Sequence, residues 1–179
     1  MNRVRIVGGA WRSRLIDFPD LPGLRPTPDR VRETLFNWLG QDLAGWVCLD
    51  LFAGSGALGF EAASRGAQWV TLVESDARAA VALERSAAAL SARNVEIRRM
   101  NALQFLAFSD RRYDLAFLDP PYRQGWLERV LEPLQRILQP GALVYAEAER
   151  ELGDLGPWRT VRHKKAGQVH YHLMRIESP

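Results

Sequence analysis

The run Val47-Cys48-Leu49-Asp50-Leu51-Phe52-Ala53-Gly54-Ser55-Gly56-Ala57-Leu58-Gly59 constrains the fold of this chain more than any other stretch. Its first residues are apolar, as in a strand buried on both faces. It then breaks at Gly-Ser-Gly and resumes as an Ala/Leu-rich helix from Ala57 to about Ser64. A strand feeding a glycine turn at a helix start is where an α/β sheet holds its ligand. The glycines allow close approach, and the helix N-terminus offers unpaired N–H groups. Gly54, Gly56 and Gly59 match a dinucleotide fingerprint, and Glu74 lies where a ribose-binding acid is expected. Asp50 argues for a different ligand. An acid at the strand end opposes a pyrophosphate on the helix terminus, whereas it suits a cationic group, such as an ammonium or a sulfonium.

From Trp46 onward strand and helix alternate. The pattern predicts strands over about 46–51, 69–74, 94–99, 113–118 and 141–147, and helices over about 57–65, 76–91, 101–108 and 124–138. Such alternation implies a parallel sheet with helices on both faces, a Rossmann-like α/β fold. Two more strands, about 159–165 and 169–176, close the chain and bring the sheet to seven. Ligands of such sheets sit beyond the carboxyl ends of the strands. Those ends carry Asp50, Glu74, Asn101 and Asp119, which form one polar rim. His170 and His172 share a face of the last strand and read as ordinary strand positions. With no third ligand evident, no metal site is expected.

Ahead of this body lies a basic leader. Residues 1–32 hold seven Arg against three Asp, and the remainder of the chain is close to neutral. This distribution points to a polyanionic partner. Arg3 to Val7 and Trp11 to Phe18 alternate about Gly8-Gly9, which predicts a β-hairpin. Arg12 beside Trp11 makes it a plausible RNA-facing surface, although Trp11 could equally anchor the hairpin to the core. Pro19 to Pro28 reads as an irregular connector. Thr27 is expected to cap a helix that begins at Pro28 and runs to about Leu39. Its apolar face is Val31, Leu35, Trp38 and Leu39, which leaves Arg30, Glu33 and Asn37 outside. The expected organisation is therefore a hairpin and connector over 1–27, facing RNA, and a catalytic domain over 28–179.

Asp119-Pro120-Pro121-Tyr122 follows the apolar strand Tyr113–Leu118. Two prolines remove two backbone donors and stiffen the turn, so the Asp119 side chain and the Pro120 carbonyl remain as acceptors. Tyr122 offers a ring on which a flat base can stack. Acceptors beside an aromatic suit the exocyclic amino group of a nucleobase.

The pairing of Asp50-Leu51-Phe52-Ala53-Gly54-Ser55-Gly56 with Asp119-Pro120-Pro121-Tyr122 resembles class I S-adenosylmethionine-dependent methyltransferases that act on amino nitrogen. Gly8-Gly9-x-Trp11-Arg12, the block Arg25-Pro26-Thr27-x-Asp29-Arg30-Val31-Arg32-Glu33 and Ala57-Leu58-Gly59 narrow the resemblance to the RsmD family. These are bacterial enzymes that methylate guanine N2 in small-subunit ribosomal RNA. Pro28 departs from the family block, at a place a helix start tolerates. The resemblance implies S-adenosylmethionine as methyl donor, with Phe52 to Gly56 passing under its methionine part. It further implies that Asp50 faces the ammonium, that Glu74 takes the ribose hydroxyls, and that Asn101 and Ala102 border the adenine. Asp119, Pro120 and Tyr122 would hold the target amino group. Arg12, Arg25, Thr27 and Arg30 would meet the RNA, in a partly or fully assembled 30S subunit.

Three rival readings remain. DNA adenine-N6 methylation uses the same tetrapeptide but usually needs a recognition domain larger than 179 residues allow. A nicotinamide-dependent oxidoreductase explains the glycines but neither Asp50 nor Asp119 to Tyr122. A catalytically silent RNA-binding protein leaves the intact Asp119 unexplained. The single Cys48 excludes an internal disulfide and reads as a small core residue. No apolar run approaches the ~20 residues of a membrane span, and the first residues do not read as a secretion signal. A cytoplasmic monomer is expected.

Overall fold

The computed structural model describes residues 1–177. A short antiparallel hairpin, β1 (Asn2–Arg5) and β2 (Leu15–Phe18), leads into helix α1 (Asp29–Leu39). The body alternates as the hydrophobic pattern requires. It comprises β3 (Val47–Asp50), α2 (Ala57–Ser64), β4 (Trp69–Val73), α3 (Ala77–Ala89), β5 (Val95–Arg98), α4 (Ala102–Phe108), β6 (Tyr113–Leu118) and α5 (Trp126–Gln135). The long β7 (Leu138–Ala148) and the hairpin β8 (Trp158–Ala166) and β9 (Val169–Ile176) complete it. The seven strands run in the order β5-β4-β3-β6-β7-β9-β8, with β9 antiparallel to both of its neighbours. The strand order reverses between β3 and β6, which is the switch point where such sheets bind ligands.

Helices cover both faces. One core packs β1, β2, α1, α2 and α3 on the sheet, through Ile6, Ile16, Leu35, Phe36, Phe60 and Leu83. The other packs α4 and α5, through Phe105, Leu106, Val130 and Leu134. Every residue of α2 is buried, because this helix lies between the sheet and the N-terminal hairpin. That explains its Ala- and Gly-rich sequence: added volume would collide. A Cβ at Gly59 would lie 2.0 Å from Leu72 Cδ2.

The N-terminal segment shares the core of the body. Val4, Ile6, Ile16 and Phe18 are buried in the same cluster as α1 and α2, and Trp11 packs against it. Of the two roles open to Trp11, the structure shows the anchor. In α1, Val31, Leu35 and Leu39 are buried as expected, but Phe36 and Arg32 join them, and Trp38 is only half-buried, stacked on Tyr171 at 5.5 Å.

The start of α1 also differs from the expectation. The cap residue is Pro28, and no side chain caps the helix. The Thr27 hydroxyl is engaged elsewhere, 2.9 Å from Glu147 Oε2, 120 residues along the chain. A buried polar contact of this kind outcompetes a solvent-exposed cap.

Candidate active site

The residues after and at the ends of β3, β4, β6 and β7 meet at one rim. β3 and β4 pair in parallel, as do β3 and β6, and β6 and β7. Because Leu118 is opposite Ala146 in register, Asp119, just past β6, comes beside Glu147 near the end of β7. Asp50, at the end of β3, lies on the other side of β6. Three carboxylates thus stand on adjacent strands across the switch point.

Asp50 is 1% exposed. Its Oδ2 accepts from the Gly59 N–H at 3.0 Å, whereas Oδ1 is buried with no hydrogen-bond partner. Burial raises its pKa to about 7, against the lowering effect of the Gly59 bond, and Glu74 and Glu147 add to the rise. An unmet buried acceptor of this kind awaits a donor or a cation. The Glu74 oxygens accept from Gly54 N at 2.8 Å and from Asp76 N at 3.0 Å. Each keeps a second lone pair for an incoming hydroxyl.

The glycine loop has its own geometry. Gly54 and Gly56 have φ of 55° and 85°, in the left-handed region. A Cβ on Gly54 would stand 2.8 Å from Leu24 Cδ1, so the connector from the basic leader lies directly over the loop. Phe52 is half-buried and meets Trp126 edge-on at 5.5 Å.

Asp119 keeps partial access to solvent, Pro120 is buried and Tyr122 is 43% exposed. The Asp119 carboxyl lies next to the strand position of Glu147. Its pKa is raised well above the usual range, first by desolvation and then by the charges of Glu147 and Asp50. The Tyr122 hydroxyl is pushed up to about 12 by burial and by Asp119, Glu147 and Glu149, so it is neutral at physiological pH. The Tyr145 hydroxyl is buried without a hydrogen-bond partner, and desolvation and Glu147 raise its pKa.

The rim thus brings together Asp50, Gly54, Glu74, Asp119, Tyr122 and Thr27. Arg25 and Arg30 are exposed beside Thr27. Asn101 lies at its border with its side chain engaged in a capping box: it accepts from Gln104 N at 2.9 Å, and Ala102 is buried behind it. Arg12 is elsewhere. It lines a groove of roughly 500 Å³ with Gly8, Glu33, Asn37 and Arg65, at the C-terminal end of α2. That is about 12 Å, one helix length, from the glycine loop. His172 is fully buried, with Nδ1 on the Ala146 carbonyl and Nε2 accepting from Leu152 N, and His163 and His170 bond to each other. Burial also pushes the Cys48 thiol up, which leaves it unreactive.

Two buried acids, one at the site and one behind it, escaped sequence reasoning. Glu147 sits inside an apolar strand sequence, and only the pairing of β7 with β6 carries it to Asp119. The signal was available: it is the acid at the carboxyl end of the next strand in the series. Glu61 was hidden within an Ala-rich helix. It accepts from Val7 N and Gly8 N, and from Arg32 and Arg65, and so ties the leader to the body.

The sheet order, the glycine loop and the acidic rim define a Rossmann-like class I methyltransferase. A family model described as conserved hypothetical protein 95 matches residues 4–175. The chain is 46% identical to the ribosomal RNA small subunit methyltransferase D of Escherichia coli K12, over 99% of this chain and 92% of that one. It is 40% identical to the protein of the same name from Haemophilus influenzae, over 96% and 93%. A solved structure, the putative methyltransferase yhhF from Escherichia coli, superposes with a TM-score of 0.89 at 44% identity, covering 99% of this chain and all of that one. The chain belongs to the RsmD family.

Proposed function

We propose that this protein transfers a methyl group from S-adenosylmethionine to the exocyclic N2 of a guanine in small-subunit ribosomal RNA. The observation that carries the reading is the acceptor group of Asp119 and the Pro120 carbonyl, beside a half-exposed Tyr122, at the sheet's switch point. Its relatives are named as small-subunit ribosomal RNA methyltransferases, which supports ribosomal RNA as the substrate.

The residues present fit the methyl donor. The unpartnered Asp50 Oδ1 suits the ammonium of its amino-acid part, and Glu74 has lone pairs for two ribose hydroxyls. The loop Phe52 to Gly56 would underlie its methionine part, with Asn101 and Ala102 beside the adenine. When bound, the donor supplies an electrophilic methyl on a sulfonium. Everything else falls to the chain. Asp119 and the Pro120 carbonyl accept the two amino N–H groups and hold the nitrogen lone pair toward the methyl. They favour the positive charge that develops there. Tyr122 stacks on the base. Alignment supplies much of the remaining acceleration. The product nitrogen is acidic and gives up a proton readily, so no strong base is needed.

The target guanine must leave its stack to reach the rim. Arg25 and Arg30 flank it on one side. On the other side, register places Lys164 opposite Tyr171, which is opposite Glu147. Two strand spacings put Lys164 about 10 Å from the acid. Arg162, Lys164 and Lys165 are exposed and have no ion-pair partner among the described residues. Arg12, at the far end of α2, would meet RNA away from the extruded base. A chain this small covers little RNA, so we take an assembled or partly assembled 30S particle as the substrate and a monomer as the acting form.

The test is labelled methyl transfer into 30S particles, free ribosomal RNA and duplex DNA, with Asp119→Ala as control. Label recovered as N2-methylguanine, and lost in the variant, supports the reading. Label in DNA adenine would sink the substrate while leaving the cofactor in place.

A further inference from the structure

Asp119 and the Pro120 carbonyl serve the two amino N–H groups of a guanine, but not the N–H of its ring N1. That donor lies beside the amino group, on the edge by which an extruded base is read. Glu147 is the rim acid with no part in the scheme above. It is 4% exposed near the end of β7. The pairing of Leu118 with Ala146 brings it beside Asp119 on the neighbouring strand, which sets their backbones one strand spacing, ~4.8 Å, apart. Beyond desolvation, its charge helps raise the pKa of Asp50, Asp119, Tyr122 and Tyr145. Its carboxylate therefore stands among the rim groups rather than behind them.

The two oxygens of Glu147 are not equivalent. Oε2 accepts from the Thr27 hydroxyl at 2.9 Å. Thr27 is itself held, because its carbonyl accepts from the fully buried Arg32 Nε at 3.0 Å. Oε1 accepts from no group among the described residues, and it is not sealed off as Asp50 Oδ1 is. The Tyr145 hydroxyl, two residues back on the same face of β7, is buried and likewise unmet. Unmet polar groups gathered at a rim call for a ligand. An acid that served the scaffold alone would be filled as Glu61 is, by four donors.

We infer that Glu147 is the specificity-determining residue for guanine: its Oε1 accepts the N1–H of the target base while Asp119 and the Pro120 carbonyl hold the amino group. The inference rests on the functional reading above, which places the 2-amino group of guanine at Asp119. Guanine offers three neighbouring N–H donors on this edge, and the recess offers three acceptors. Adenine would bring an amino group but a lone pair at N1. That lone pair would face the carboxylate, which would be desolvated without gaining a donor. A site built for a hydrogen bond rejects the analogue that lacks its partner far more strongly than an apolar wall rejects a misfit. Thr27 contributes by fixing the carboxylate through Oε2 and leaving Oε1 for the base. The basic leader thereby takes part in choosing the base.

The test compares bases at the nucleotide that takes the label. Small-subunit RNA is ligated to carry guanine, 2-aminopurine or inosine there and assembled into 30S particles. The particles are offered to the parent and to Glu147→Gln at saturating methyl donor. 2-Aminopurine keeps the 2-amino group but has a lone pair at N1. Inosine keeps the N1–H but has no 2-amino group. The parent should lose about 100-fold in kcat/KM on 2-aminopurine relative to guanine. The amide of Glu147→Gln can turn to offer its N–H to that lone pair and its carbonyl to Thr27. The variant should therefore narrow the preference for guanine by about tenfold or more, which loss of a purely structural contact would not do. Thermal melting and donor affinity report on its folding, and the comparison in the parent stands without it. Transfer by the parent to 2-aminopurine within about threefold of guanine would overturn the inference. So would an unchanged preference in folded Glu147→Gln. Transfer to inosine, or none to guanine, would instead overturn the reading on which the inference rests.

Discussion

The two acidic clusters of this protein are both buried, and they differ in every other respect. Around Glu61 the acid is saturated. Two backbone N–H groups and the guanidinium groups of Arg32 and Arg65 fill its oxygens at 2.8 to 3.0 Å. Around Asp50, Asp119 and Glu147 the acids have each other. One oxygen has no partner, and the pKa values of Asp50 and Asp119 rise. A buried charge with full partners holds a scaffold in one arrangement, whereas a buried acid short of partners marks a site where a ligand completes the set. The scaffold cluster also explains the family block around Arg25 to Glu33. Asp29 pairs with Arg5 and Arg32, and Arg32 reaches Glu61, the Arg5 carbonyl and the Thr27 carbonyl. The block stitches the hairpin to the body and delivers Thr27 to the rim.

The contrast breaks first at Glu61. Glu61→Ala removes the buried anion shared by Arg32 and Arg65 and leaves Arg32 only the half-buried Asp29, which costs about 3–5 kcal/mol. The melting temperature should fall by about 10 °C or more. A drop of only a degree or two would mean that the saturated cluster is not what holds the leader in place.

At Asp50 the same kind of substitution should stabilise. A carboxyl whose pKa is raised to about 7 on folding prefers its proton in the native state. Its contribution is full below the unfolded value near 4 and is lost as pH rises toward 7. Asp50→Asn in donor-free protein should therefore flatten stability between about pH 4 and 7. It should raise stability at pH 8 by on the order of 3 kcal/mol, while weakening binding of the methyl donor about 10- to 100-fold. Urea melts across pH together with calorimetric titration measure both. A variant that is less stable at pH 8 would place Asp50 with the scaffold acids.

Thr27 joins the two clusters. Thr27→Val removes the hydroxyl that fixes Glu147 but keeps the shape of the side chain, so it should cost about 1 kcal/mol in stability. It should also lower kcat about fivefold, as loosened positioning does. A loss in stability with kcat untouched would separate the leader from catalysis.

What the sequence conveyed follows the same division. Asp50, Glu74 and Asp119 stand where an apolar strand meets glycine or proline punctuation, so their place on a rim could be read locally. The sheet and its hairpins were legible for the same reason: period and punctuation are local. Glu147 meets Thr27, 120 residues away in the chain, and Glu61 meets Val7, Gly8 and Arg32, 29 to 54 residues away, so their roles are set by contacts far along the sequence. Thr27 shows the failure in its clearest form. Thr before Pro at a helix start reads as a cap, and tertiary contact with Glu147 overrides that preference. Asn101 shows the opposite case. Placed by resemblance at the adenine, it spends its side chain on the start of α4.

The smallest effect is expected at the border of the rim. Its floor is acidic, yet Lys164 and Lys165, the only lysines in the chain, are exposed near the turn between β8 and β9. If floor and border divide the work, one handling chemistry and the other holding RNA phosphate, they should be separable. Replacing both lysines with Gln should raise KM for the 30S particle a few-fold at moderate salt. The slope of log affinity against log salt should flatten by between roughly one and two, since each phosphate contact contributes a little under one. The rate at saturating substrate should respond far less than in any rim variant, because neither lysine reaches the reacting atoms. Filter binding across a salt series reads the slope directly. A slope unchanged within error would remove the hairpin from the RNA interface and leave Arg25 and Arg30 as the cations beside the site.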